Sequence, residues 1–326
     1  MTRALVLLYH RVASPAVDPF LLCVREEHFR EQIEVLSRSV SPVTLAEYLA
    51  ATCEGRDLGR CAVITFDDGY ADNLHVAAPV LRARGVPAVF FVTSGQIGLA
   101  KEFWWDSVSR ILLSFQALPS HLRLVVGDAV LECDLEGSAH DGGAQARHRD
   151  WNVLDSFDPT ARQRLCRQLC DVLRPLDAMS RADVVARLHE WASVPLKARE
   201  SHRVLDAAEL RRLDSDDLFE VGLHTLTHGC LRSLGPEDRI REVVTGKSRL
   251  EELLKHAIAS FAYPFGGAAD YDRNAVELVK QAEFGSACTT RPGIATRDTS
   301  PWEIPRHMVF DWNGEEFARR LAEWLP

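Results

Sequence analysis

Short aliphatic and β-branched runs alternate along this chain with longer segments whose apolar positions recur at helical spacing, the pattern of βαβ units on a parallel sheet. The runs predict strands over Ala4–Tyr9, Cys61–Phe66, Ala88–Thr93, Leu218–His224, Ile258–Tyr263 and Gly285–Thr289. Helices are predicted between them over Arg25–Ser39, Ala71–Gly85, Pro236–His256 and Asp272–Glu283. The third has legible ends: Pro236 opens it, Glu237 and Asp238 lie in its first turn, and Lys255 and His256 lie near its end. Six strands of one kind with intervening helices favour a closed or nearly closed α/β barrel over a small open sheet. Residues 100 to 205 break the rhythm with a hairpin around Leu122–Leu135, a polar loop His140–Asp150, and two amphipathic helices near Pro159–Leu173 and Arg181–Trp191. A barrel connection needs nothing so long. The expected organisation is therefore a discontinuous barrel, 1–100 and 205–326, interrupted by a cap subdomain at 101–204.

Composition changes this picture little. The 326 residues are 46% apolar and 26% charged, which excludes a disordered, collagen-like or disulfide-scaffold protein. The net charge of −9 argues against a general nucleic-acid binder, which needs a basic face. The longest apolar runs, Ala4–Tyr9 and Val86–Val92, fall far short of the roughly 20 residues that cross a bilayer. Arg3, a short strand and then His10 and Arg11 do not have the shape of a signal peptide. Eight cysteines without a C-x-x-C pair read as reduced, mostly buried thiols, and Cys166 and Cys170, one helical turn apart, have no third soft ligand near in sequence. A cytoplasmic protein is expected.

The candidate chemistry lies where apolar strands end abruptly in reactive groups: Tyr9-His10, Asp67-Asp68-Gly69, His224, and Tyr263-Pro264-Phe265-Gly266. In a parallel α/β barrel every strand delivers its C-terminal end to one face, so these groups should converge. Adjacent Asp67 and Asp68 would repel each other, and along a strand they would point to opposite sides. A divalent cation resolves the repulsion by taking one carboxylate as ligand and leaving the other free for proton transfer. In His224-Thr225-Leu226-Thr227-His228 the two imidazoles, at i and i+4, would share one face of a helical turn and reach one metal, with Leu226 anchoring the turn in the core. Asp68, His224 and His228 together make a carboxylate-plus-two-imidazole site with a position open for water, as in a catalytic zinc centre.

Thr65–Gly69, His224–His228 and Phe261–Gly266 resemble, in the same chain order, the successive motifs of the polysaccharide deacetylases, the carbohydrate esterase family 4 metal-dependent de-N-acetylases. The resemblance covers residues 1–100 and 205–310. It implies a distorted (β/α)7 barrel carrying the insertion, with Asp67 as general base, Asp68, His224 and His228 as metal ligands, and Thr225 steadying the ligand turn. The sequence departs from the family pattern in two places. Where relatives often carry an arginine that holds the catalytic Asp, this chain has Ala262, and Arg306 is the candidate substitute. For the general acid, His10 is preferred because its Tyr-His setting resembles one branch of the family, with His307 as the alternative. The implied reaction is hydrolysis of an N-acetyl group on an amino sugar, free or in a glycoconjugate, in a biosynthetic pathway. The cofactor would be a divalent metal, Zn2+ first, with Co2+, Ni2+ or Mn2+ as alternatives. A backbone N–H of the Tyr263–Gly267 loop is expected to help hold the oxyanion, the glycines allowing close approach. The alternatives are a same-fold amidohydrolase of a non-sugar amide, formyl group or cyclic imide, and an inactive carbohydrate-binding protein.

Overall fold

The computed structural model describes residues 3–115, 117–127, 129–140 and 147–325, so residues 141–146 of the polar loop lie outside the described residues. The chain divides into two compact units, one of residues 1–14, 22–99 and 204–326, the other of residues 15–21 and 100–203.

Among the described residues the sheet of the first unit has nine strands: two short ones, Ser41–Pro42 beside Arg60–Phe66 and Ala295–Thr296 antiparallel to Arg3–Tyr9, and seven that carry the barrel, β1 (Arg3–Tyr9), β2 (Arg60–Phe66), β3 (Ala88–Val92), β4 (Phe219–Leu223), β5 (Ser260–Ala262), β6 (Ser286–Cys288) and β7 (His307–Met308). Neighbours β1 to β6 pair in the order β6-β5-β4-β3-β2-β1, all parallel. The segment 304–308 curls the sheet toward a barrel. Ile304 bridges Cys288 of β6 in parallel, and His307 and Met308 pair in parallel with Leu7 and Leu8 of β1. This is the distorted (β/α)7 arrangement that the motifs imply. The six strands read from the sequence are present, the first two starting one residue earlier than expected and the other four trimmed at their ends. The seventh is two residues long, and Arg306 immediately precedes it.

Strand alternation sorts the apolar residues into two clusters. Leu5, Leu7, Tyr9, Ile64, Phe66, Phe90, Val221 and Phe261 pack outward with helical residues such as Phe29, Ile33 and Leu250. Ala4, Val6, Val63, Phe91, Ala262, Cys288 and Ile304 fill a separate inner cluster. Continuing each inner column by two residues gives His10 after Leu8, Asp67 after Thr65, His224 after Gly222 and Arg306 after Ile304. A Cβ on Gly222 would lie 2.5 Å from the Phe91 ring and 2.6 Å from Ser260 Oγ, so the inner packing beneath His224 admits only glycine there.

In the second unit, the strands His121–Val126 and Ala129–Asp134 form an antiparallel hairpin beside helices Ala161–Leu173 and Ala178–Trp191. Buried Arg162 gathers its carbonyls, donating to Ser138 O (2.7 Å), Ala139 O (2.8 Å) and Leu112 O (3.3 Å). Phe103 and Trp105 stack at 4.4 Å and, with Trp104, are buried. No helix among the described residues is long and apolar enough to cross a membrane.

Candidate active site

Four loops meet at the C-terminal ends of the strands. After β2 the chain turns sharply: Asp68 has φ 74° and Gly69 φ 85°, and a Cβ on Gly69 would press on Val92 at 3.0 Å. The expectation that the two aspartates point to opposite sides fails here. The left-handed turn swings Asp68 back, so Asp67 Oδ2 and Asp68 Oδ1 lie 3.8 and 3.7 Å from the same atom, His224 Nε2.

The His224–His228 segment is also not the helical turn expected from its spacing. Thr225 and His228 both have φ 61°, and the segment is an irregular loop tied at several points. The His224 N–H donates to Val92 O (2.8 Å), Ser94 N–H to Thr225 O (3.1 Å), Gly95 N–H to Leu226 O (2.8 Å), and His228 N–H to Thr225 Oγ1 (3.0 Å). Thr225 thus steadies His228 through its hydroxyl. Leu226 is only half-buried and does not anchor the loop in the core; its N–H donates instead to the Glu242 carbonyl at 2.9 Å. The buried Glu242 carboxylate accepts the Thr227 N–H (2.8 Å) and the Thr227 hydroxyl. Sequence reasoning missed Glu242. The signal was a lone carboxylate in the helical stripe with Gly246, Leu250 and Leu254, all buried.

His224 Nδ1 donates to Ala262 O at 2.9 Å, which leaves the Nε2 lone pair facing the carboxylates. Burial, reinforced by His228, pushes the His224 pKa down against the pull of Asp67 and Asp68, which favours the neutral, ligating form. His228 Nε2 lies 3.3 Å from Asp68 Oδ1. Asp68 Oδ1 itself is buried without a hydrogen-bond partner, and burial raises the Asp68 pKa in spite of His10 and His224. One donor atom from each of Asp68, His224 and His228 lies within 4.8 Å of the others. The 3.3 and 3.7 Å spacings are close to the roughly 3.4 Å between two donors each about 2.1 Å from a tetrahedral ion. An unpartnered buried carboxylate oxygen facing two imidazoles fits a divalent metal.

Asp67 is held differently. Arg306, fully buried, donates from Nη1 and Nη2 to its two oxygens at 2.8 and 2.7 Å. The guanidinium also donates to Thr289 O (2.8 Å) and Thr65 Oγ1 (3.0 Å), and lies 5.6 Å from the Phe91 ring centre. Burial works to raise the Asp67 pKa, but the Arg306 charge, His224 and the paired hydrogen bonds outweigh it and hold the group at about 2. Small inward residues at 262 and 288 leave room for this side chain, so the arginine reaches Asp67 from the neighbouring segment.

His10 is half-buried at the top of β1, with its carbonyl accepting from Asn73 Nδ2 at 2.8 Å. Burial lowers its pKa, while Asp68 and Asp67 are near enough to raise it. His307 is placed otherwise: its ring packs on Trp324 at 4.6 Å, and strand alternation turns it away from Arg306 and Asp67. Tyr263 also faces outward, stacked on Tyr271 at 4.4 Å with its hydroxyl donating to Trp302 O, and its N–H is taken by Cys288 O. The N–H groups of Gly266 and Gly267 are likewise engaged, by Pro264 O (2.7 Å) and Asp270 Oδ2 (2.9 Å), so neither is the expected oxyanion donor. Pro264 has no N–H to give. Phe265 does reach the site, its ring edge-on to His228 at 4.8 Å. Gly266 has φ 63°, and a Cβ there would meet Thr290 N at 2.6 Å.

Comparison with known proteins agrees with this geometry. The family model for polysaccharide deacetylase matches residues 54–121 and 156–286. That match takes in Asp67, Asp68, His224 and His228 and part of the insertion, which the motif resemblance left uncovered; His10 and Arg306 lie outside it. YxkH of Bacillus subtilis (strain 168), whose name assigns it to the polysaccharide deacetylases, is 31% identical over 97 residues, 28% of this chain; the match spans about a third (33%) of that relative's length. Among solved structures, the Streptococcus pyogenes deacetylase PplD in complex with acetate superposes with TM-score 0.60 at 14% identity, covering 100% of this chain and 99% of that one. IcaB from Ammonifex degensii gives TM-score 0.60 at 18% identity, covering 99% and 97%. At these identities the structures speak for the fold, and the family match speaks for descent: the chain belongs to the polysaccharide deacetylase family.

Proposed function

We propose that this protein is a metal-dependent de-N-acetylase that removes the acetyl group from an N-acetylated amino sugar in a glycan or glycoconjugate intermediate. The observation that carries this reading is a buried carboxylate, Asp68, facing His224 and His228, beside a second carboxylate that is kept out of the ligand set by its own arginine. Asp68, His224 and His228 would hold the ion, zinc first and cobalt, nickel or manganese as alternatives. When bound, such an ion supplies Lewis acidity to the amide carbonyl and acidifies water. Asp67 accepts a proton from the attacking water; Arg306 orients it and keeps it ionised. His10 delivers a proton to the departing amine. Phe265 gives the site an apolar wall against His228. The products are acetate and a free amino sugar, and acetate is the molecule held in the PplD structure. We place the reaction in the cytoplasm, supported by eight free thiols, six of them buried.

The test is acetate release across a panel of free, nucleotide-linked and lipid-linked N-acetyl sugars, with and without chelator. Release from at least one sugar, abolished by chelator and reduced at least a hundredfold by Asp67→Asn, is expected. Full activity of Asp67→Asn, or turnover confined to non-sugar amides, formyl groups or imides in a parallel panel, overturns the reading.

A further inference from the structure

The helix that runs from Pro236 to Leu254 is not uniform: over Arg241–Thr245 it opens into one wider turn. Wide turns of this kind let a helical carbonyl serve a partner outside the helix. Here the Glu242 carbonyl accepts the Leu226 N–H at 2.9 Å, and the Gly246 carbonyl accepts the Ser94 hydroxyl at 2.9 Å. On the same turn the Glu242 carboxylate, 4% exposed, takes both the N–H and the hydroxyl of Thr227. Thr227 immediately precedes His228, whose φ of 61° is a conformation a non-glycine residue keeps only when its surroundings impose it. Glycines confirm how tightly the two pieces meet. A Cβ on Gly229 would lie 3.0 Å from the Glu242 carboxyl carbon, and one on Gly246 would lie 3.0 Å from Leu226 N.

We infer that Glu242 is a positioning residue for the metal ligands: its carboxylate and carbonyl clamp Leu226 and Thr227 and so hold His228 in the strained backbone that aims Nε2 at Asp68. This rests on the metal-site reading above. Glu242 acts through the loop, by its bonds to Leu226 and Thr227.

The test measures zinc alone, by competition between the metal-free protein and a chromophoric chelator, together with the visible absorption of the cobalt-substituted protein and thermal unfolding of the metal-free protein. Glu242→Ala is expected to weaken zinc binding about tenfold or more and to alter the cobalt bands, as loss of a ligand's outer support does. Glu242→Gln, which keeps one carbonyl acceptor, should fall between parent and Ala. Leu254→Ala, a buried truncation on the same helix, should lower the unfolding midpoint with zinc affinity unchanged. Thr227→Val, which removes the hydroxyl donor and keeps the amide, should weaken zinc in the same direction and serves if Glu242→Ala does not fold. Zinc affinity of Glu242→Ala, or of Thr227→Val in its place, within twofold of the parent overturns the inference. So does equal weakening by Leu254→Ala. A parent protein that takes up no zinc, by contrast, overturns the metal site itself.

Discussion

The pair Asp67–Arg306 decides how the site responds to pH. Asp67, at about 2, lies below the ordinary 3.8 of its type because Arg306 outweighs its burial. A carboxylate lowered on folding contributes stability that is complete above about pH 4 and is lost as pH falls toward 2. Arg306→Gln removes the guanidinium and keeps the burial, so Asp67 must move upward. The metal-free variant is expected to be destabilised at neutral pH by about 3–5 kcal/mol for an uncompensated buried charge, and to recover part of that deficit relative to the parent as acid protonates Asp67, followed by urea unfolding at stepped pH with circular dichroism. A deficit that is absent at neutral pH, or that grows on acidification, would refute this account. At this scale most of the site was legible in the sequence: Asp67, Asp68, His224 and His228 carry unmistakable spacing, and Arg306 was named for the gap at Ala262. Tyr263 and Gly266 prove otherwise engaged, and the alternative His307 packs on Trp324, because residue type cannot show a side chain's face or which amide is already bonded.

Elements explain the other misreadings. The spacing of His224 and His228 suits a helical turn and suits equally a loop that returns on itself through two left-handed residues. What selects the loop comes from segments distant in sequence, Ser94-Gly95 on one side and Glu242 on the other. Gly95 is the sharpest probe of that contact, since a Cβ there would lie 2.4 Å from Leu226 O, the atom its own N–H bonds. Gly95→Ala is therefore expected to push the ligand loop outward, costing about 1–3 kcal/mol of stability and weakening zinc binding. Calorimetric unfolding and metal titration check both; a variant matching the parent in both would show the loop to be slack. The adjacent aspartates fail the alternation rule for a similar local reason, the positive φ of Asp68 followed by Gly69.

For the whole molecule, the strand rhythm was enough to predict a parallel barrel, while the closing strand, read as ending at Arg306, in fact starts just after it. Two residues preceded by Pro305 and Arg306 carry no apolar run, and they form a strand only because β1 and β6 leave edges for them. Because the proposed ligands follow β2 and β4, a bound ion should link the two parts of the barrel unit on either side of residues 100–203. Zinc at a hundred times its dissociation constant should raise the unfolding free energy by about 2.7 kcal/mol, and chelation should remove the gain in a thermal scan. An unfolding midpoint indifferent to both would argue against a preformed site. The lateness of the closing segment bears on how the molecule is made. Asp67 and its counter-ion are separated by 239 positions, whereas the three proposed metal ligands all precede residue 229. A growing or folding chain can therefore assemble the proposed cation site before Asp67 has its partner. Docking of residues 304–308 is a long-range step, entropically costly to reach and slow in folding terms. Activity should appear with that step, after the ability to bind metal, so the enzyme is switched on by completion of its own ring.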